Sequence, residues 1–283
     1  MDYLEHMKQR LSGGEPYVPA WLGRKDEVRQ FARYVGIELP EKFFEGPIDK
    51  LPTALPGRFA LKPNFASTSI GVLLLENAGA ERFDNLVSGE RVHREEIVNA
   101  CRTVAKKYFS EENLAHATFV VEELLEGLDG ASPPADVRCY AFQGEIGMIL
   151  MEHHISGPAN AMYFDHNFQP FEDLEERYGV HPAVDHLERI VPALPPSNAS
   201  DILQVARRIS TAIPSAFCRI DLYNTPRGII LGELTFFPGT FYYKNRKIMH
   251  EMESARLGRM WDAALERMKG SRMQTTPKSA IRL

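Results

Sequence analysis

The chain has 283 residues, 44% of them hydrophobic and 25% charged in both signs, with a formal net charge of -5. Such a length and composition suit a globular protein with a substantial core, and the mild acidity leaves no electrostatic footprint for nucleic acid or an anionic membrane. The N-terminus "MDYLEHMKQR" is polar and no apolar run approaches the roughly 20 residues of a membrane helix, so the expectation is a cytoplasmic protein with neither nucleic-acid nor membrane partners.

Three widely spaced cysteines, Cys101, Cys139 and Cys218, form no CxxC pair, and the nine histidines, the adjacent His153 and His154 among them, show no HExxH spacing. A disulfide framework and zinc chemistry therefore have little support, and the cysteines read as small core residues.

In chain order, "KDEVRQFARYV" places Val28, Phe31, Ala32 and Val35 on one helical face before Gly36 stops the helix. A proline-rich connector leads to the strand "RFALKP", the polar turn "NFASTSIG" and a second strand "GVLLLE". A helical pattern follows from Arg94 to Phe109, then an extended run "ATFVVEELL" and a linker "EGLDGASPPA" that marks a boundary between two lobes. Beyond it come the strands "DVRCYAFQ" and "IGMILMEHH", an irregular aromatic stretch to Pro196, the helix "ASDILQVARRISTAI", a hairpin from Cys218, a charged helix from Arg246 to Met268 and a basic tail. The division expected is an N-terminal extension 1–24, a smaller lobe 25–125, a larger lobe 126–268 and a tail 269–283.

The hairpin "CRIDLYNTPRGIILGELTFFPG" carries the sharpest chemical signal. Alternate residues of a strand share a face, so Arg219, Asp221 and Tyr223 point one way and Cys218, Ile220 and Leu222 the other. With "NTPRG" as the turn, residues whose numbers sum to about 453 lie opposite, which brings Glu233 near Asp221. Two neighbouring carboxylates on apolar strands call for a compensating cation, and magnesium, a hard ion that keeps waters and bridges carboxylates to phosphates, is the natural candidate. The plain alternative is that Arg219 pairs with Asp221 or Glu233 on a solvated sheet face.

Three weaker signals accompany it. Lys62 ends an apolar strand before Ser67, Thr68, Ser69 and Gly71, a small-residue loop whose backbone N–H groups and hydroxyls could approach phosphate oxygens, although a hydroxyl-rich hairpin loop is common and no P-loop is present. "FVVEELLEGLD" is a strand ending in acids and a glycine turn. In "DVRCY", Asp136, Arg138 and Tyr140 alternate along one strand face, with a simple Asp–Arg pair as the plain alternative.

In this order the segments resemble the ATP-grasp superfamily, and "LPGRFALKPNFASTSIG", "DVRCYAFQGE" and above all "RIDLYNTPRGIILGELTFFPG" resemble its teichuronopeptide-biosynthesis (TupA-like) branch. The resemblance implies an α+β fold, two lobes with largely antiparallel sheets that hold ATP between them. It implies that Lys25 and Lys62 contact the nucleotide, that Ser67, Thr68 and Ser69 belong to a phosphate cover, and that Glu122, Glu123 and Leu125 bind the adenine edge largely through their backbone. It also implies Asp129 at the ribose, where the family more often has glutamate, Arg138 at the triphosphate, Arg219 at the transferring phosphoryl group, and Asp221, Glu233 and Thr235 at magnesium, Thr235 standing where many relatives have asparagine.

The activity so implied is an ATP- and magnesium-dependent ligation of a carboxylate to an amine through an acylphosphate. A phosphotransferase acting on a hydroxyl is the alternative, and a non-catalytic nucleotide binder a third reading. Only 24 residues precede Lys25, so the expectation is that the small-molecule carboxylate and amine are gripped by the larger lobe, around 153–171 and "PGTFYYKNR", where Lys244 and Arg246 bind an anionic substrate or simply start the last helix. The sequence names neither substrate and leaves the oligomeric state open, a homodimer included.

Overall fold

The computed structural model describes residues 1–66, 70–153, 158–184 and 186–274, with Lys25, Asp26 and residues 271–274 described as backbone only. Its elements in chain order are α1 (Tyr3–Leu11), α2 (Lys25–Val35), β1 (Lys42–Pro47), β2 (Arg58–Pro63), β3 (Leu73–Gly79), β4 (Arg82–Asn85), β5 (Arg91–His93), α3 (Arg94–Ala105) and β6 (Thr118–Glu123). Then follow β7 (Asp136–Phe142), β8 (Glu145–His153), β9 (Ala159–Phe164), α4 (Leu174–Arg177), β10 (Tyr178–Val180), β11 (Glu188–Ile190), α5 (Ala199–Ala212), β12 (Cys218–Thr225), β13 (Gly228–Thr235), β14 (Lys247–Met249) and α6 (Glu251–Gln274). The fold is α+β, and no described helix is long and apolar enough to cross a membrane.

Residues 40–126 form one compact unit and residues 1–39 with 127–283 the other. The smaller unit is an antiparallel sheet in the order β1-β6-β2-β3-β4-β5. Alternation along β2 and β6 sends Phe59, Leu61, Phe119 and Val121 into a core shared with Ile97, Cys101 and Ala105 of α3. His93 and Glu96 close a capping box on α3, and the helix stops at Ala105 rather than Phe109.

In the larger unit the sheet order is β11-β9-β8-β7-β12-β13, antiparallel except for β11 beside β9. One face packs α2 and α5 through Val28, Ala32, Ile202, Ala206 and Ile209 onto Val137, Cys139, Ile149, Ile220 and Leu222. The other packs α1 and α6 through Tyr3, Met7, Leu257 and Trp261 onto Tyr140, Phe142, Met148 and Leu150. Residues 25–39, expected from the sequence in the smaller lobe, belong to this unit because α2 buries its apolar stripe against α5 and the β12-β13 side of the sheet. Gly36 ends α2 in the left-handed region at φ 66°. The last helix starts at Glu251, not Arg246, because Lys247–Met249 are taken up as β14 against β10.

Candidate active site

The larger sheet concentrates its charge on the face that carries Tyr140 and Leu150. Asp221 on β12 lies directly opposite Glu233 on β13, and Arg219 opposite Thr235, so all four side chains share one face. This depends on one extra residue. Nearer the turn the pairing is Leu222 with Leu231 and Tyr223 with Ile230, and the register then steps by one, leaving Gly232 as a bulge. Without that step Glu233 would oppose Ile220 and point through the sheet to the α5 side. Glycine suits the position: a Cβ at 232 would stand 2.7 Å from the Tyr223 ring and 3.3 Å from the Asp221 carbonyl oxygen.

Arg219 grips Asp221 with both prongs, Nε donating to Oδ1 at 2.7 Å and Nη2 to Oδ2 at 2.5 Å. Its Nη2 also donates to Thr235 Oγ1 at 3.1 Å, and that hydroxyl donates to Glu233 Oε1 at 2.9 Å. Asp221 is 7% exposed, whereas Glu233 faces solvent. Burial lifts the Asp221 carboxyl above its usual range, and Arg219 and then Arg138 offset that. Burial likewise opposes the charge on Arg219, but Asp221 more than compensates and holds its pKa above the ordinary value.

β7 runs beside β12 with Arg138 in register with Asp221. Arg138 Nη2 donates to Asp136 Oδ2 at 2.8 Å, Nη1 donates to Glu152, and Nε stands 3.8 Å from Asp221 Oδ2. The open end of the hairpin is pinned from the other side of the chain: the buried Arg10 of α1 donates Nη1 to Phe217 O and to Phe236 O, both at 3.0 Å, and its Nε and Nη2 bind Glu15 at 2.8 and 2.7 Å. Its guanidinium lies 4.4 Å from the Trp261 ring centre. Arg10 thus ties the two strands just beyond Arg219 and Thr235.

The remaining expected site residues divide between the two units. In the smaller unit Lys62 on β2 pairs with Glu122 on β6, Glu123 accepts the Glu41 N–H at 3.1 Å, and Leu125 is buried. In the larger unit Asp129 accepts the Ala131 N–H at 3.0 Å inside its own loop. It lines a cavity of about 350 Å³ with Val137, Met151 and Met162, whose side chains belong to the α5 side of the sheet, so Asp129 does not join the Arg219–Asp221 group. Ser67, Thr68, Ser69 and His154 lie outside the described residues, as does the Lys25 side chain. Arg246 pairs with Glu188 at 2.6 Å.

Among the described residues no three His, Cys, Asp or Glu side chains gather as a metal cage. The donors that do converge are two carboxylates and a hydroxyl, and Asp221 Oδ1, Asp221 Oδ2 and Glu233 Oε1 each have lone-pair capacity beyond the hydrogen bond they accept here. Such a set fits a hard ion that keeps most of its waters, as magnesium does.

Solved structures similar to the chain include ATP-grasp and amino-acid ligases. D-alanine–D-alanine ligase from Bacillus anthracis complexed with ATP is 15% identical, with 88% of this chain and 67% of that one covered at a TM-score of 0.48. The ATP-grasp ligase PsnB complexed with minimal precursor, Mg and ADP is 14% identical, with 94% and 67% covered at 0.46. An L-amino acid ligase from Bacillus licheniformis is 16% identical, with 81% and 47% covered at 0.44. The chain thus spans between 47% and 67% of the length of these three. No curated protein matches it. The family model described as TupA-like ATPgrasp matches residues 49–254, a stretch that holds Lys62, Arg138 and the whole hairpin with its paired acids, and the chain accordingly belongs to the TupA-like ATP-grasp family.

Proposed function

We propose that the protein is an ATP- and magnesium-dependent carboxylate-amine ligase. The observation that carries this reading is the shared face of Arg219, Asp221, Glu233 and Thr235, set in register by the Gly232 bulge and flanked by Arg138. Asp221, Glu233 and the Thr235 hydroxyl would hold magnesium, which when bound neutralises charge on the phosphates. Lys62 and Arg138 would bind phosphate oxygens, with Lys25, Ser67, Thr68 and Ser69 in the same role, Glu122, Glu123 and Leu125 would meet the adenine edge and Asp129 the ribose. Arg219, already anchored by Asp221, would present its remaining N–H groups to the transferring phosphoryl group, a preorganised donor that needs no reorientation during reaction.

A substrate carboxylate oxygen attacks the γ-phosphorus and the bond to ADP breaks. The carboxylate thereby becomes an acylphosphate. An amine then attacks the acyl carbon, phosphate departs with the original carboxylate oxygen, and the nitrogen loses its proton. No enzyme nucleophile is needed, in keeping with three buried cysteines whose thiols burial pushes upward.

The test is ADP release by purified protein across a panel of carboxylates and amines, followed by oxygen labelling of the productive carboxylate. Label in the released phosphate, together with a requirement for amine, is expected. A stable phosphorylated hydroxyl product with no phosphate release would overturn the ligase reading in favour of a phosphotransferase.

A further inference from the structure

The charged face extends well past the residues assigned above. Lys247 on β14 is only 4% exposed, yet its Nζ stands 2.5 Å from Glu152 Oε1 and 2.5 Å from Glu188 Oε2. Glu188 on β11 also receives Arg246 at 2.6 Å. Glu152 on β8 has a fully buried side chain, and its second oxygen receives Arg138 Nη1. An alternating row therefore crosses the sheet: Arg246, Glu188, Lys247, Glu152, Arg138, Asp221, Arg219. At one end lies the paired-acid hairpin, and at the other a short strand that no catalytic role has claimed.

The row matters for Arg138, around which three carboxylates gather: Asp136, Glu152 and Asp221. A buried carboxylate must be matched by a cation and hydrogen bonds, and an arginine left to match it takes the two-pronged grip that its planar fork favours. Deprived of Lys247, Glu152 would draw both prongs of Arg138 toward β8, away from Asp136 and β12. Its charge would then be spent on Glu152.

Building on the nucleotide-binding role proposed for Arg138, we infer that Lys247 is a positioning residue: by sharing Glu152 it keeps the Arg138 guanidinium divided between Glu152 and Asp136, with Nε 3.8 Å from Asp221, instead of drawn wholly onto Glu152, and so in the orientation in which it would meet nucleotide phosphates.

The experiment is calorimetric titration of ADP in the presence of magnesium into the full chain, its Lys247→Met, Glu152→Gln and doubly substituted variants, each checked by thermal melting. Lys247→Met should weaken ADP binding about tenfold, Glu152→Gln should tighten it by a few-fold, and the double variant should return to within about threefold of the unsubstituted protein, because removing both partners leaves no orphaned charge. A purely structural lysine would lower the melting temperature of Lys247→Met while leaving its ADP affinity unchanged, and that result overturns the inference. Should Lys247→Met not fold, Glu152→Gln decides, since unchanged or weakened ADP binding there is equally fatal. If the unsubstituted protein binds no ADP, the nucleotide reading falls first and this inference with it, a failure distinct from binding that the substitutions leave unmoved.

Discussion

In the smaller unit Lys62 is 31% exposed and its partner Glu122 15%, a single pair at the margin of solvent. In the larger unit Glu152 and Glu188 are 0% and 2% exposed in their side chains, Lys247 6%, Asp221 9% and Arg219 11%. An exposed pair exchanges partners at little cost, because water screens it and solvates whichever charge is released. The buried members of the row, Glu188, Lys247, Glu152, Asp221 and Arg219, cannot, since freeing one strands another in low dielectric. In the proposed nucleotide site Lys62 would thus leave Glu122 for an incoming phosphate, whereas Glu152, Lys247, Asp221 and Arg219 would be fixed before any ligand arrives. Preorganisation of the second kind is what transition-state stabilisation requires.

Glu233 and Asp221 sharpen that contrast most strongly, because both belong to the proposed metal site but only one is buried. Glu233→Gln and Asp221→Asn should each lower turnover on the order of a hundred- to a thousandfold. Their melts should differ. Glu233 is exposed and its replacement should leave stability nearly unchanged, while Asp221→Asn strips the buried Arg219 of its counter-charge and should cost about 3 kcal/mol. Urea titration of the two variants measures the difference, and equal stabilities would dissolve the distinction between fixed and exchangeable charge.

Arg10 tests the same idea away from the chemistry. Arg10→Met leaves the largely buried Glu15 side chain without its cation and the Phe236 carbonyl without its Arg10 donor, while the Phe217 carbonyl keeps the Ser215 hydroxyl, so a loss of about 3 kcal/mol is expected, read as a lowered urea midpoint. Lys62→Ala should behave oppositely, with stability changed by less than about 1 kcal/mol and ADP affinity weakened about tenfold, the loss of one charge-assisted contact. A large stability loss in Lys62→Ala would place it with the buried row.

Much of this organisation can be read from residue pattern. The helix 25–35 follows from its 3.6-residue apolar period and Gly36, and β2 from the apolar run ending at Lys62. Strand alternation put Arg219 and Asp221 on one face. The turn register alone, however, would have set Asp221 against Gly232, and the pairing with Glu233 needs a bulge whose sole sequence signal is an isolated glycine within a strand. Less legible still were β9, β10, β11 and β14, because strands of three to six residues carry too few alternations to stand out from irregular chain. Lys247 was hidden for that reason, its neighbours Glu152 and Glu188 being distant in sequence and close only through sheet topology. Arg10 gave no signal at all, since a charged residue near a helix end ordinarily faces water.

The smallest effect expected concerns the cysteines, whose absence from the chemistry separates this site from one that works through an enzyme nucleophile. All three are buried; burial alone pushes the Cys101 thiol up to about 12, burial with the Asp221 charge raises Cys139, and burial outweighs the nearby Arg10 to raise Cys218. Only the thiolate attacks an alkylating reagent. With folded-state values well above the unfolded ones, the thiols stay protonated through neutral pH, and the stability tied to keeping them so is present below the unfolded pKa of roughly 8.5 and diminishes as pH rises beyond it. Iodoacetamide at pH 7.5 should therefore leave the native protein unmodified by mass and its ADP release unchanged, while the same treatment in urea should add three carbamidomethyl groups. Rapid modification of Cys218 in the native protein, accompanied by loss of ADP release, would mean that the start of β12 beside Arg219 opens to solvent far more readily than its buried ion pairs imply.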